Sequence, residues 1–143
     1  MNGELVVERP EGLYCPAGDF HIDPWRPVPR AVITHAHADH ARRGHGAYLA
    51  QADGAAVLRA RLGPIALQTL AYGEPVELGG VRLSLHPAGH VLGSAQVCSQ
   101  KVTHPSRIRR STTTARSVWE GRFSTPTSQT PSIALSSASG TPR

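Results

Sequence analysis

The segment Ala31-Val32-Ile33-Thr34-His35-Ala36-His37-Ala38-Asp39-His40 decides how the rest of the chain is read. It opens as a buried-strand run and passes directly into three histidines and an aspartate. Side chains alternate along a strand, so His35 and His37 share one side and can address one object. The chain is then expected to turn, with Asp39 and His40 at the start of a short helix, Asp39–Arg43. Imidazole nitrogens and carboxylate oxygens arriving from two directions suit Zn²⁺, as one or two ions, with Mn²⁺ as the alternative. Ala36 and Ala38 leave room for close approach. A histidine-rich surface turn is the plain alternative; the preceding strand and a second histidine segment downstream weigh against it.

That second segment is Leu85-His86-Pro87-Ala88-Gly89-His90-Val91-Leu92-Gly93-Ser94. A strand ends at Leu85, and Gly89 lets the backbone turn sharply to present His90. Joined to the first segment, His90 becomes a third ligand for the same ion. His86 is expected either to stand behind the ligands or to be structural.

Outward from these segments, short β-type runs alternate with Gly and Pro turns. They are Leu5–Glu8, Leu13–Cys15, Phe20–Ile22, Ala31–Thr34, Ala47–Ala50, Ala66–Ala71, Val76–Leu78, Val81–Leu85 and Ala95–Val97. Asp53–Leu62 reads as a helix with Asp53 as its N-cap and Gly63 as its stop. The fold class expected is α+β, with mostly antiparallel or mixed strands and few helices.

The 143 residues allow one domain and hardly two. Residues 1–97 hold eight Lys+Arg against nine Asp+Glu, whereas residues 98–143 hold seven against Glu120 alone. The net charge of +5 therefore belongs to the second stretch. Ser and Thr fill 18 of those 46 positions without apolar periodicity, a composition that cannot offset chain entropy of ~1–2 kcal/mol per residue. Disorder is expected from about Gln100 to Arg143, in a tail spanning 98–143. No apolar run approaches the ~20 residues of a membrane helix, the N-terminus has no signal pattern, and there are two cysteines. These features point to the cytoplasm and away from a membrane.

Together, GLYCPAGDFHIDPWRPVPRAVITHAHADHA and AGHVLGSAQV resemble the metallo-β-lactamase superfamily, in its β-CASP-like nuclease branch. Within it the chain is similar to the bacterial DNA-ligase-associated exonucleases, also labelled mRNA 3′-end processing factors, over about residues 5–97. The resemblance implies part of an αββα sandwich. It implies His35, His37 and His90 on a first metal, and Asp39 and His40 on a second, with Asp39 also positioning or deprotonating the attacking water. Asp23 matches the aspartate that orients the histidine loop, a role suited to the free N–H of a ligating imidazole; an Asp-Pro turn is its alternative, and Asp19 its rival. Trp25 is expected to pack rather than stack on a base, and Arg26, Arg30, Arg42 and Arg43 to be solvated, with contact to phosphates near the site as the alternative. A Zn²⁺-bound water has its pKa lowered toward ~7, so the implied activity is metal-dependent hydrolysis of DNA, exonucleolytic and linked to end repair with a DNA ligase.

The resemblance stops at Val97, before the Gly-Asp motif whose aspartate bridges the metals and before a later histidine ligand. Neither Glu120 nor His104 stands in a supporting pattern. The break suggests a shifted reading frame or a truncated gene model, and poor activity for the chain as written. Two other functions stay open. One is a small-molecule metallo-hydrolase of the thioesterase or lactonase kind. The other is a non-enzymatic nucleic-acid binder using Arg107, Arg109, Arg110, Arg116 and Arg122.

Overall fold

A computed structural model describes residues 3–103. Nine strands are formed: β1 (Val7–Arg9), β2 (Gly12–Cys15), β3 (Phe20–Ile22), β4 (Arg30–Val32), β5 (Ala47–Gln51), β6 (Leu67–Leu70), β7 (Val76–Leu78), β8 (Val81–Pro87) and β9 (Ala95–Lys101). One α-helix among the described residues, α1 (Ala55–Leu62), follows a 3-10 turn at Ala52–Gly54. No helix among these residues is long and apolar enough to cross a membrane.

The first six strands make one sheet in chain order, and the last three make a second. Strands β1 to β3 pair antiparallel, whereas β3 to β6 run parallel. The second sheet is an antiparallel meander. Only the link from β5 to β6 carries a helix. Residues 23–29 suffice to return the chain from β3 to β4, because a three-residue strand rises only about 10 Å.

Burial follows from this layering. Val32 and Leu49 face the second sheet and join Cys15, Phe20 and Leu70 against Leu78, Val81, Leu83 and Leu85. Their chain neighbours Ala31, Ile33, Tyr48 and Ala50 face the other way, against Leu58 and Leu62 of α1. The layers are therefore sheet, sheet, helix, an α+β arrangement dominated by strands. Every residue of β5 is buried, as expected of a parallel strand covered on both faces. In β8 burial alternates, so Arg82, Ser84 and His86 lie on the outer face of the second sheet.

Three expectations are corrected. Asp39–Arg43 is not a helix: the amides of His40 and Ala41 both donate to the His37 carbonyl (3.1 and 2.8 Å), and this single turn goes no further. One turn fixes several dihedrals for little return, and Gly44, at φ +98°, leads the chain away. Asp53 is not the helix N-cap either. Gln51 caps the 3-10 turn by accepting from the Asp53 amide (2.6 Å), and Gly54 precedes α1. The last strand continues to Lys101, beyond Val97, because its exposed positions Gln96, Cys98 and Gln100 pair along β8 regardless of their polarity. The disorder expected beyond this point concerns residues 104–143, outside the described residues.

Candidate metal centre

The histidine segment lies where β4 gives way to the loop that leads to β5. Ile33 still donates to Leu49 (2.8 Å), so the chain leaves the sheet at Thr34. Asp23, at the end of β3, sits in the left-handed region (φ 44°), which aspartate tolerates better than most residues. Its amide donates to the Val32 carbonyl (2.9 Å), which points the carboxylate at the loop.

That carboxylate organises the site. Oδ1 accepts from the Thr34 amide (2.8 Å), and Oδ2 accepts from the Thr34 hydroxyl (2.6 Å). Oδ2 also lies 2.7 Å from His40 Nδ1. An ionised carboxylate only accepts, so His40 donates to Asp23 from Nδ1 and turns its other nitrogen, Nε2, toward Asp39. The His40 Nε2 stands 3.4 Å from Asp39 Oδ2.

His90 reaches the same place from the second sheet. Ala95, the first residue of β9, donates to the Thr34 carbonyl (2.8 Å) and so fastens the His90 turn to the histidine loop. Ser94, buried, accepts with Oγ from the amides of His90 (3.1 Å) and Val91 (3.2 Å), while its carbonyl accepts from the Tyr72 hydroxyl (2.8 Å). Gly93 (φ 73°) lies against the Gly54 backbone so closely that a Cβ would stand 2.2 Å from the Gly54 nitrogen.

Three ring nitrogens converge as a result. His35 Nε2 lies 3.2 Å from His37 Nδ1, and His90 Nε2 lies 3.3 Å from the same atom. Four nitrogens held tetrahedrally at 2.0–2.1 Å from a zinc ion stand about 3.3–3.4 Å apart, so the two spacings at His37 match edges of such a site, and all three ligand atoms lie within 4.8 Å of one another. His35 is half-buried, and His37 and His90 are exposed, so the cluster lies at the surface. Burial first, and then the neighbouring imidazoles of His40 and His37, push the His35 pKa down and favour the neutral ring that a metal needs. Asp39 is held below the usual carboxylate range by a hydrogen bond with its own backbone, then by His40 and His37.

His35, His37 and His90 are thus brought together, with Asp39 and His40 as a neighbouring pair and Asp23 behind them. His86 is not with them. It lies on the outer face of the second sheet, its Nε2 2.9 Å from Ser84 Oγ, because the strand alternation that buries Leu85 turns His86 away. Asp19 accepts from the Tyr14 hydroxyl (3.0 Å). Trp25 packs over the β1–β2 turn and donates to Pro10 (2.7 Å), and Arg43 donates to the Arg61 carbonyl (2.7 Å) at the end of α1. Two supports had no signal in the motif spacing: Thr34, whose hydroxyl resembles any strand threonine, and Arg61, which donates to the Ala36 carbonyl. A groove of about 280 Å³ opens beside His37, between Val57 and Arg61 on one wall and Val91 and Leu92 on the other.

No family model matches the chain. Part of a protein described as a probable DNA ligase, from Opitutus terrae, is similar to it. The two are 36% identical over 104 residues, which is 71% of this chain and 10% of the ligase. The chain thus spans about a tenth of the length of the curated relative it matches.

Proposed function

We propose that this chain carries the metal-binding part of a metal-dependent phosphodiester hydrolase acting on DNA ends, related to the metallo-β-lactamase nucleases and working with a DNA ligase. The observation that carries the reading is the meeting of His35, His37 and His90 from two sheets at coordination spacing. Similarity to a segment of a protein described as a DNA ligase favours DNA over RNA or a small thioester as substrate. Free Cys15 and Cys98 fit a reducing compartment, the cytoplasm.

Zn²⁺ or Mn²⁺, when bound, supplies Lewis acidity toward a phosphoryl oxygen and a water made acidic enough to act near neutral pH. The chain's own residues do the rest. His35, His37 and His90 would hold the first ion through one ring nitrogen each. His40 and the ionised Asp39 would offer two donors to a second, and the exposed Asp39 carboxylate could orient an attacking water by accepting a hydrogen bond from it. Asp23 fixes the orientation of His40. The groove beside His37 gives the sugar or base next to the scissile phosphate an apolar wall. Among the described residues the second ion has two donors, against three for the first, so turnover by the 143-residue chain alone is expected to be low.

The test is a Co²⁺ titration of the full chain followed by visible absorption, with Zn²⁺ and Mn²⁺ as competitors and His37→Ala as control. Tetrahedral Co²⁺ bands at one equivalent or more, lost in the variant, are expected. Absence of binding by the wild-type chain overturns the reading. Metal-dependent release of nucleotides from DNA, set beside RNA and a thioester, then decides the substrate class.

A further inference from the structure

We infer that Thr34 is a positioning residue that fixes the tautomer of His35 and ties it to the Asp23 carboxylate. The inference rests on the metal-site reading above and adds a residue to it. Asp23 Oδ2 lies 2.6 Å from Thr34 Oγ1, and a carboxylate flanked by the Thr34 amide and His40 Nδ1 acts as an acceptor. The hydroxyl proton therefore lies in the bond to Asp23. Thr34 Oγ1 is left with lone pairs, and His35 Nδ1 is 3.0 Å away. That contact is a hydrogen bond only if His35 Nδ1 carries the proton. His35 Nε2 is then bare, and it is the atom that faces His37 Nδ1.

Every polar group of Thr34 is engaged. Its amide and hydroxyl hold Asp23, its oxygen receives His35, and its carbonyl receives Ala95 at the start of the strand that brings His90. One carboxylate thus sets two rings: His40 directly, and His35 through the threonine hydroxyl. The chain of bonds polarises in one direction, from His35 through Thr34 to Asp23, which raises the basicity of the nitrogen offered to the ion. A valine would fill the same volume and leave His35 Nδ1 without a partner. A serine would restore the hydroxyl.

The experiment uses the full chain in wild-type form and as Thr34→Val and Thr34→Ser. Long-range ¹H–¹⁵N spectra of the metal-free protein near pH 8 report the tautomer of each histidine, independently of metal binding or activity. Wild type and Thr34→Ser are expected to show His35 protonated on Nδ1, and Thr34→Val to shift it toward Nε2. Co²⁺ affinity is expected to fall about 10–100-fold in Thr34→Val, the usual cost of losing a partner behind a ligand, and to recover within a few-fold in Thr34→Ser. His35 protonated on Nε2 in the wild-type chain overturns the inference, even where the valine variant does not fold. So does an unchanged tautomer or unchanged affinity in a folded Thr34→Val. A wild-type chain that binds no Co²⁺ but shows the Nδ1 tautomer refutes the metal reading and keeps the hydrogen-bond assignment.

Discussion

Replacing Gly93 by alanine tests whether the site depends on contact between the His90 turn and the start of α1. Gly93 sits at φ 73°, where a side chain costs about 1–2 kcal/mol. Its added Cβ would stand 2.2 Å from the Gly54 nitrogen and 2.4 Å from its Cα, both backbone atoms that no rotamer change can clear. Ordinary contact begins near 3.4 Å, so the turn must withdraw by about 1.2 Å. Overpacking of this kind adds about 1–3 kcal/mol, giving a total of roughly 2–5 kcal/mol. The same withdrawal carries His90 off coordination spacing, because Gly93 directly precedes Ser94, whose hydroxyl holds the amides of His90 and Val91. Gly89→Ala is the control: its φ is 68° in the same loop, and nothing lies within 4 Å of the added Cβ. It should cost about 1–2 kcal/mol from the backbone alone. Urea unfolding and Co²⁺ titration of both variants are the assays. Gly93→Ala is expected to lose the greater stability and at least tenfold in Co²⁺ affinity, with Gly89→Ala close to wild type in affinity. Equal behaviour of the two variants would refute the argument.

Other consequences are as direct. Burial lowers the pKa of His21, His35 and His45, so below the ordinary value of 6.5 the unfolded chain takes up protons that the folded chain resists. Stability is complete above that pH and falls as pH drops through it toward the lowered folded values; flat urea midpoints between pH 7.5 and 5 would contradict this. Asp23→Ala strands the Thr34 amide and the His40 Nδ1–H, and should cost about 2–4 kcal/mol by urea unfolding together with a loss of Co²⁺ affinity. Zn²⁺ at about a hundred times its dissociation constant should stabilise the fold by about 2.7 kcal/mol; a chelator reverses the gain, and His37→Ala shows none in calorimetry.

Much of the fold was legible because short β-type runs alternate with turns, several of which carry Gly or Pro. All nine expected runs, from Leu5–Glu8 to Ala95–Val97, overlap observed strands. The resemblance implied two packed sheets, but which strands fall in each was not legible, since nothing local in Leu67–Leu70 or Val76–Leu78 says which partner each takes. The parallel pairing of β3, β4 and β5 was hidden for another reason: their links at residues 23–29 and 33–46 carry no helix. In the candidate site His35 and His37 were visible as a spacing, and His90 through the glycine before it. Of the two readings open for His86, the structure favours the structural one, because the alternation of β8 continues past Leu85 to Pro87 and keeps His86 on the outer face. Thr34 and Ser94 were silent, because a hydroxyl that serves three-dimensional neighbours has the same sequence signature as one that meets water.

The clasp between Ala95 and Thr34 also bears on how the molecule comes together. His37 and His90 are 53 residues apart in the chain. Their encounter has to overcome the entropy of closing a long loop, and the three-stranded meander has to dock before it can be made. An ion gripping all three imidazoles would then behave as a removable cross-link between the two sheets. Its off-rate would time how often the meander peels away from the rest.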